Sequence, residues 1–274
     1  MFRLKADGPV GLLAGTGDLP FLFAEAAASL KKNFVLFGLN GYTDRRIERL
    51  SAGAHYIDLG AFGSLPGLLR REKIRQVVLA GGVPKKEIYN PALRLDDASK
   101  GILARTPDRG DDHLLRAFEV YLKVQAGVSV VDPRRFLKEL LATKGVLTRR
   151  APTEGEKKDL RFGWRVAKAV GRMDIGQTVV VKEGIVLAVE AIEGTDAAIR
   201  RGGALCGSGA VVVKVAKPNQ DLRFDLPCVG DKTLESLAAA SSRVLGVEAG
   251  KTLLLSKKKL VEAADRLDIT LVGL

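Results

Sequence analysis

The sequence predicts an α/β fold in two domains: a Rossmann-like, doubly wound parallel sheet over residues 1–132, then a second, mixed α/β domain over residues 133–274. Short apolar runs alternate with amphipathic segments through the first half, the pattern of a parallel sheet covered by helices on both faces. The second half changes to β-branched runs separated by tight turns. At 274 residues and 46% hydrophobic content, the chain is long for one core and has enough apolar material for two.

The elements follow in order. VGLLAG (10–15), NFVLFG (33–38), HYIDLG (55–60), QVVLAGG (76–82) and VSVVD (128–132) read as strands, and 19–32, 43–50, 65–73 and 112–125 read as the helices between them. Asp132 before Pro133 is a helix start, with a carboxylate cap and the ring at the first helical position. It leads into RRFLKELLAT, and KGVLTRRAPTEGEKKDLRFG then reads as a polar, turn-rich connection. TVVVKEGIVLAVEA (178–191) reads as a hairpin turning at Lys-Glu-Gly. A short helix from Thr195 and the strand AVVVKVA come next. In KTLESLAAASSRVLG the residues Leu234, Leu237, Ala238, Val244 and Leu245 keep helical spacing. TLLLS, a helix over 257–267 and ITLVGL complete the chain.

Composition excludes several classes. The opening MFRLKADGPVGLLAGTG has a short apolar segment broken by glycines, and about 18 consecutive apolar residues, the span of a membrane helix, occur nowhere. A cytoplasmic protein with Cys206 and Cys228 reduced is expected. The net charge of +12 calls for an acidic partner. Nucleic acid fits poorly, because aromatic residues are only 5% and no zinc-finger or RRM signature appears. A nucleotide diphosphate, or peripheral contact with anionic membrane lipid, fits the same charge. The reading leaves room for a homodimer.

Five runs carry candidate chemistry. In AGTGDLP (14–20), Gly15, Thr16 and Gly17 stand between the first strand and first helix, where glycines admit phosphate oxygens to the backbone; a plain tight turn explains them equally. Pro20 occupies the third glycine position, and Gly38, Leu39 and Asn40 supply no acid after the second strand, so the NAD pattern is incomplete. LAGGVPKK (79–86) brings Lys85 and Lys86 to a strand end that should face the same crevice. In RGDDHLL (109–115), one of Asp111 and Asp112 caps a helix and the other is available to a ligand. Two histidines, His55 and His113, are too few for a histidine-rich metal site. In AIEGTDAAIRRGG (191–203), capping accounts for Thr195 or Asp196 but not for Glu193 beside them; such a turn can bind phosphate through N–H groups and Mg2+ through carboxylates.

The densest run is KPNQDLRFDLPCVGD (217–231), with Gln220, Asp221, Arg223, Asp225 and Asp231. Read as extended chain, Asp221, Arg223 and Asp225 share one face, with Leu222, Phe224 and Leu226 on the other. Carboxylates holding a divalent cation, beside an arginine fork, suit hydrolysis of a pyrophosphate. A purely structural ion-pair strand is the competing reading.

AGTGDLP, the GDD before a helix, the EGTD turn and QDLRFDLPCVG, in this order and over essentially the whole chain, resemble the LpxI family of UDP-2,3-diacylglucosamine pyrophosphatases. The resemblance implies hydrolysis of UDP-2,3-diacylglucosamine to UMP and 2,3-diacylglucosamine 1-phosphate with Mg2+ in lipid A synthesis, with the essential aspartate at Asp225. On that footing Asp225, Asp221 and Arg223 are the expected catalytic residues. Gly15, Thr16, Gly17, Asp111, Asp112, Thr195 and Gln220 would bind substrate, and Asp225, Asp196 and Glu193 the metal. The EGTD turn is then expected to share a site with the run around Asp225. The alternatives are a nucleotide-sugar-binding or oxidoreductase module built on the first half, and a basic nucleic-acid binder.

Overall fold

The computed structural model describes residues 8–83, 87, 90, 92–106 and 111–274, the side chains of Asp111 and Asp112 excepted. The chain forms two compact units. One extends to Leu137 and takes in Asp221–Asp225; the other comprises Lys138–Gln220 and Leu226–Leu274.

The first unit is built on five parallel strands, β1 (Val10–Ala14), β2 (Phe34–Leu39), β3 (Ala54–Ile57), β4 (Gln76–Ala80) and β5 (Ser129–Val130), in the order β3-β2-β1-β4-β5. Its helices are α1 (Leu19–Ser29), α2 (Leu65–Arg71), α3 (Asp97–Leu103) and α4 (Asp111–Ala126). All six residues of β2 are buried, as a strand covered on both faces requires. Alternation divides the side chains. Val35, Phe37 and Val77 pack on Leu65 and Leu69 of α2 and on Leu122 and Ala126 of α4. Phe34 turns the other way, with its ring edge-on to Phe23 of α1 at 6.0 Å. Helices therefore cover both faces, and the strand order reverses between β1 and β4.

The second unit has a six-stranded sheet in the order β6-β13-β11-β9-β7-β8, from β6 (Gly145–Val146), β7 (Thr178–Lys182), β8 (Ile185–Val189), β9 (Val211–Lys214), β11 (Val244–Val247) and β13 (Thr270–Gly273). Strands β9, β11 and β13 are parallel, and β7 runs antiparallel to both β9 and β8. A separate parallel pair joins β10 (Cys228–Val229) to β12 (Leu253–Leu254). The helices are α5 (Glu154–Arg172), α6 (Thr195–Cys206), α7 (Asp231–Ala239) and α8 (Lys257–Arg266). Leu160 and Ala167 of α5 cover Val179, Val181, Val211 and Val213. Ile199 of α6, Leu234 and Leu237 of α7 and Leu260 of α8 cover Val180, Val212 and Leu245 on the opposite face. Neither Cys206 nor Cys228 is in a disulfide.

The structure corrects four local expectations. The helix expected after Asp132 is replaced by 3-10 turns at Pro133–Arg135 and Lys138–Leu140. Asp132 does cap the first, accepting from the Arg134 amide at 2.9 Å, but Leu141 bridges Leu253 and the Ala142 amide donates to Thr252, so strand contacts take the backbone a helix would use. The 43–50 segment is likewise a 3-10 helix, Arg45–Leu50. In KTLESLAAASSRVLG the helix stops at Ala239, Ser241 takes a left-handed φ of 47°, and Val244 and Leu245 belong to β11. The connection read as turn-rich ends inside α5, a helix of 19 residues that begins within it at Glu154.

Candidate active site

In the first unit, the AGTG turn leaves the carboxyl end of β1 beside Gly81 and Gly82, which leave that of β4. Gly15 N–H donates to the Ala80 carbonyl at 2.9 Å, Thr16 N–H to Gly82 at 2.8 Å, and Gly82 N–H back to Thr16 at 3.3 Å. The Thr16 hydroxyl also donates to Gly82, at 3.0 Å. The two loops touch so closely that a Cβ on Gly15 would lie 2.3 Å from the Gly82 oxygen. Gly17 differs, since its φ is +89° but a Cβ there would meet nothing within 4 Å. Its glycine thus serves the turn and leaves open space before α1. This is the point where the strand order reverses, the place at which parallel sheets collect ligands. After β2, Asn40 donates to Asp58 at 2.7 Å.

The run around Asp225 is a turn, and the expected extended face does not form. Phe224 N–H donates to the Asp221 carbonyl at 2.9 Å and Asp225 N–H to the same oxygen at 3.3 Å. The reason is the arginine, which folds back on its neighbour: Arg223 Nε and Nη2 donate to Asp221 at 3.0 Å and 2.7 Å. The same fork reaches Glu119 of α4, Nη2 at 3.0 Å and Nη1 closer still. Arg116 Nη2 stands 3.9 Å from Asp221. Phe224, under the guanidinium at 4.9 Å, is 9% exposed and joins the core of the first unit. The Arg223 hydrogen bonds hold the Asp221 carboxyl below its usual range despite burial, and Asp221 and Glu119 raise Arg223 in turn. Arg223 and Asp221 thus form a clamp, and within the turn 221–225 the exposed carboxylate is Asp225. Glu119 carried no signal in the sequence.

In the second unit, Gln220 closes a small loop, its Oε1 accepting from Lys217 N–H at 2.9 Å. Asp231 opens α7, where its charge complements the helix dipole. At the EGTD turn, Glu193 accepts from Arg201 at 2.7 Å and from the Ala191 amide at 3.1 Å. Its own backbone N–H and Arg201 lower its pKa. The Thr195 hydroxyl donates to buried Glu190 at 2.8 Å and accepts from buried Lys214 at 3.1 Å. Both partners were legible as charges inside apolar strand patterns, since a buried polar residue is the informative exception. Asp196 enters α6 half-buried.

Lys85 and Lys86 lie outside the described residues, as do the side chains of Asp111 and Asp112. Asp221–Asp225 belong to the first unit, whereas the sequence predicts the whole run in the second; Glu193, Thr195, Asp196 and Gln220 belong to the second. Among the described residues no three His, Cys, Asp or Glu side chains group as a metal site. Mg2+ commonly takes only one or two carboxylates together with substrate phosphates. Asp225 is exposed, and Glu193 accepts from Arg201.

The description "LpxI N-terminal domain" matches residues 9–140 and "LpxI C-terminal domain" residues 143–272. A protein of Caulobacter vibrioides named UDP-2,3-diacylglucosamine pyrophosphatase LpxI is 32% identical over 275 residues, covering 96% of both chains. A solved structure titled as a nucleoside-diphosphate-sugar epimerase from Pseudomonas aeruginosa covers 96% of this chain and 86% of its own at 12% identity, with a TM-score of 0.32, too slight a likeness to bear on fold or function. Two domain matches in the order of the two units, and a relative aligned along almost its entire length, place the chain in the LpxI family.

Proposed function

We propose that this protein hydrolyses the diphosphate of UDP-2,3-diacylglucosamine, giving UMP and 2,3-diacylglucosamine 1-phosphate for lipid A synthesis in the cytoplasm. The observation that carries the reading is its chain-long relation to the Caulobacter protein of that name. The geometry supplies roles. Water adds to one phosphorus, the bridging oxygen leaves with the other phosphate, and the water gives up a proton. Asp225 accepts that proton or orients the water, and the Asp221–Arg223–Glu119 clamp fixes the turn from which it projects. Backbone N–H groups around Gly17, at the open start of α1, receive phosphate oxygens. Bound Mg2+, with Asp225 among its ligands, would neutralise phosphate charge and acidify a bound water. No helix among the described residues is long and apolar enough to cross a membrane, so a diacylated substrate is met by peripheral contact with the inner membrane.

The test is UMP release from UDP-2,3-diacylglucosamine, with Mg2+ and with EDTA. Asp225→Asn is expected to lower kcat by at least about 100-fold, within the range of removing an acid–base group, and to leave the circular dichroism spectrum unchanged. Wild-type turnover in the folded variant would remove Asp225 from the mechanism, and full activity in EDTA would remove the metal. An oxidoreductase reading is disfavoured by Asn40, bonded to Asp58 where an NAD site places an acid for the ribose.

A further inference from the structure

The second unit carries a surface to which the proposed mechanism assigns no residue. Beside α5 lies a groove of about 750 Å³ whose lining includes Lys158, Arg161, Phe162, Trp164, Arg165 and Leu274, over the buried Leu160. Two half-buried aromatic rings and a leucine form its apolar part, while Lys158, Arg161 and Arg165 stand exposed around them. The carboxylates of α5 are engaged elsewhere. Glu154 pairs with Lys157, Glu156 with Arg150, and Asp159 accepts the Glu183 and Gly184 amides at the β7–β8 turn, 2.8 Å each. Past Asp159 the helix has no acid. Among the described residues Lys158, Arg161 and Arg165 make none of the observed salt bridges, and Arg165 lies instead 6.0 Å over the Phe162 ring.

Exposed cations outside any observed salt bridge, with Lys158 and Arg161 acting on Glu154 only at longer range, surround an apolar groove that holds a tryptophan and match one occupant in charge and polarity. Anionic phospholipid offers phosphates to the cations and an acyl boundary to the rings, the level at which tryptophan settles in a bilayer. A single weak signal anchors poorly, whereas a basic cluster joined to apolar insertion gives two. We infer that the Lys158–Arg165 face of α5, with Leu274, is the surface by which the protein docks on an anionic lipid bilayer. This deepens the reading of a membrane-resident substrate and names the face that meets the membrane.

Trp164 is the only tryptophan in the chain, so fluorescence excited beyond the absorption band of the four tyrosines reports this groove. Full-length protein is mixed with vesicles of phosphatidylcholine and phosphatidylglycerol, or of phosphatidylcholine only, and binding is read by flotation and by quenching of Trp164 with brominated lipid. Binding and quenching are expected with the anionic vesicles, and R161E/R165E should weaken binding by at least about tenfold; R161Q/R165Q replaces it if the double reversal does not fold. Flotation without quenching, or unaffected by the reversal, would assign membrane contact to another face and overturn the inference. So would an absence of flotation, or a Trp164 shift with protein concentration in lipid-free buffer, which would mean that a second copy covers the groove. UMP release from a short-chain, micelle-free substrate runs in parallel. Its persistence in R161E/R165E is expected, and its failure in wild type would strike the hydrolase reading while leaving the docking result to stand or fall by itself.

Discussion

Arg223 does at the residue scale what an extended strand could not. Its planar fork satisfies Asp221 and Glu119 together, two carboxylates that would otherwise repel, and so fixes the turn that presents Asp225. Because Arg223 holds the Asp221 pKa below its usual value, Asp221 contributes stability that is present above the unfolded carboxylate value, about 3.9, and is lost as pH falls through the folded one. Arg223→Gln should therefore cost about 1–2 kcal/mol at pH 6, discounted for a guanidinium that is one-third exposed, and the gap to wild type should narrow by pH 3. Urea titrations at the two pH values check this, and an equal gap at both would mean that the clamp does not set the titration. The acidic run was legible as a site from its residue types. Its conformation was not, because alternating charge reads as a strand unless the arginine's partner, Glu119, more than a hundred residues away in sequence, is known.

At the scale of elements, contact distances explain both the glycines and the helix that pattern reading missed. Helix α5 contains Gly155, Gly163 and Gly171, which argue against a helix by propensity. A Cβ on Gly163 would meet Val213 at 2.8 Å, so glycine is what lets α5 lie on the sheet. The legible signal was Thr153 followed by Glu156, which form a full capping box. The strands of the first sheet and β7, β8, β9 and β13 were readable, because buried apolar runs of short length survive tertiary context, whereas the two-residue β6 and β10 left no pattern and β11 was read as a continuation of its helix. Gly203 of α6 faces Ala240, whose Cβ and carbonyl oxygen would stand 2.4 Å and 2.7 Å from an added methyl. Gly203→Ala should destabilise by about 1–3 kcal/mol through overpacking, in spite of better helix propensity. Gly101→Ala in α3, where a Cβ meets nothing within 4 Å, should gain up to about 1 kcal/mol. Thermal melts of the pair check the contrast; equal shifts would show that propensity and not packing decides.

At the scale of the whole molecule, each unit has its own buried core, and one short segment departs from the sequence order. The chain finishes most of the first unit by Leu137, builds the second as far as Gln220, returns five residues, Asp221–Asp225, to the first, and completes the second with Leu226–Leu274. Phe224 is the apolar anchor of that return. Phe224→Ala should cost about 2–4 kcal/mol, and hydrogen exchange should locate the loss: peptides from β1, β2 and β4 lose protection while those from β7, β9 and β11 keep it. A uniform loss across both would refute the separate assignment of the segment. The division into halves was legible from the change in strand character, but the return was not, since no local pattern records which core a phenylalanine joins. That return also sets a timetable. On the ribosome the first sheet is complete long before Phe224 exists, and at roughly 5–20 residues per second the wait is on the order of ten seconds. Throughout it the newborn first unit carries an unfilled place in its core and a Glu119 carboxylate awaiting its arginine. The last touch to the N-terminal half, and the posing of Asp225 with it, come only when the chain is nearly finished, so a truncated product has its first sheet but lacks the turn that presents Asp225.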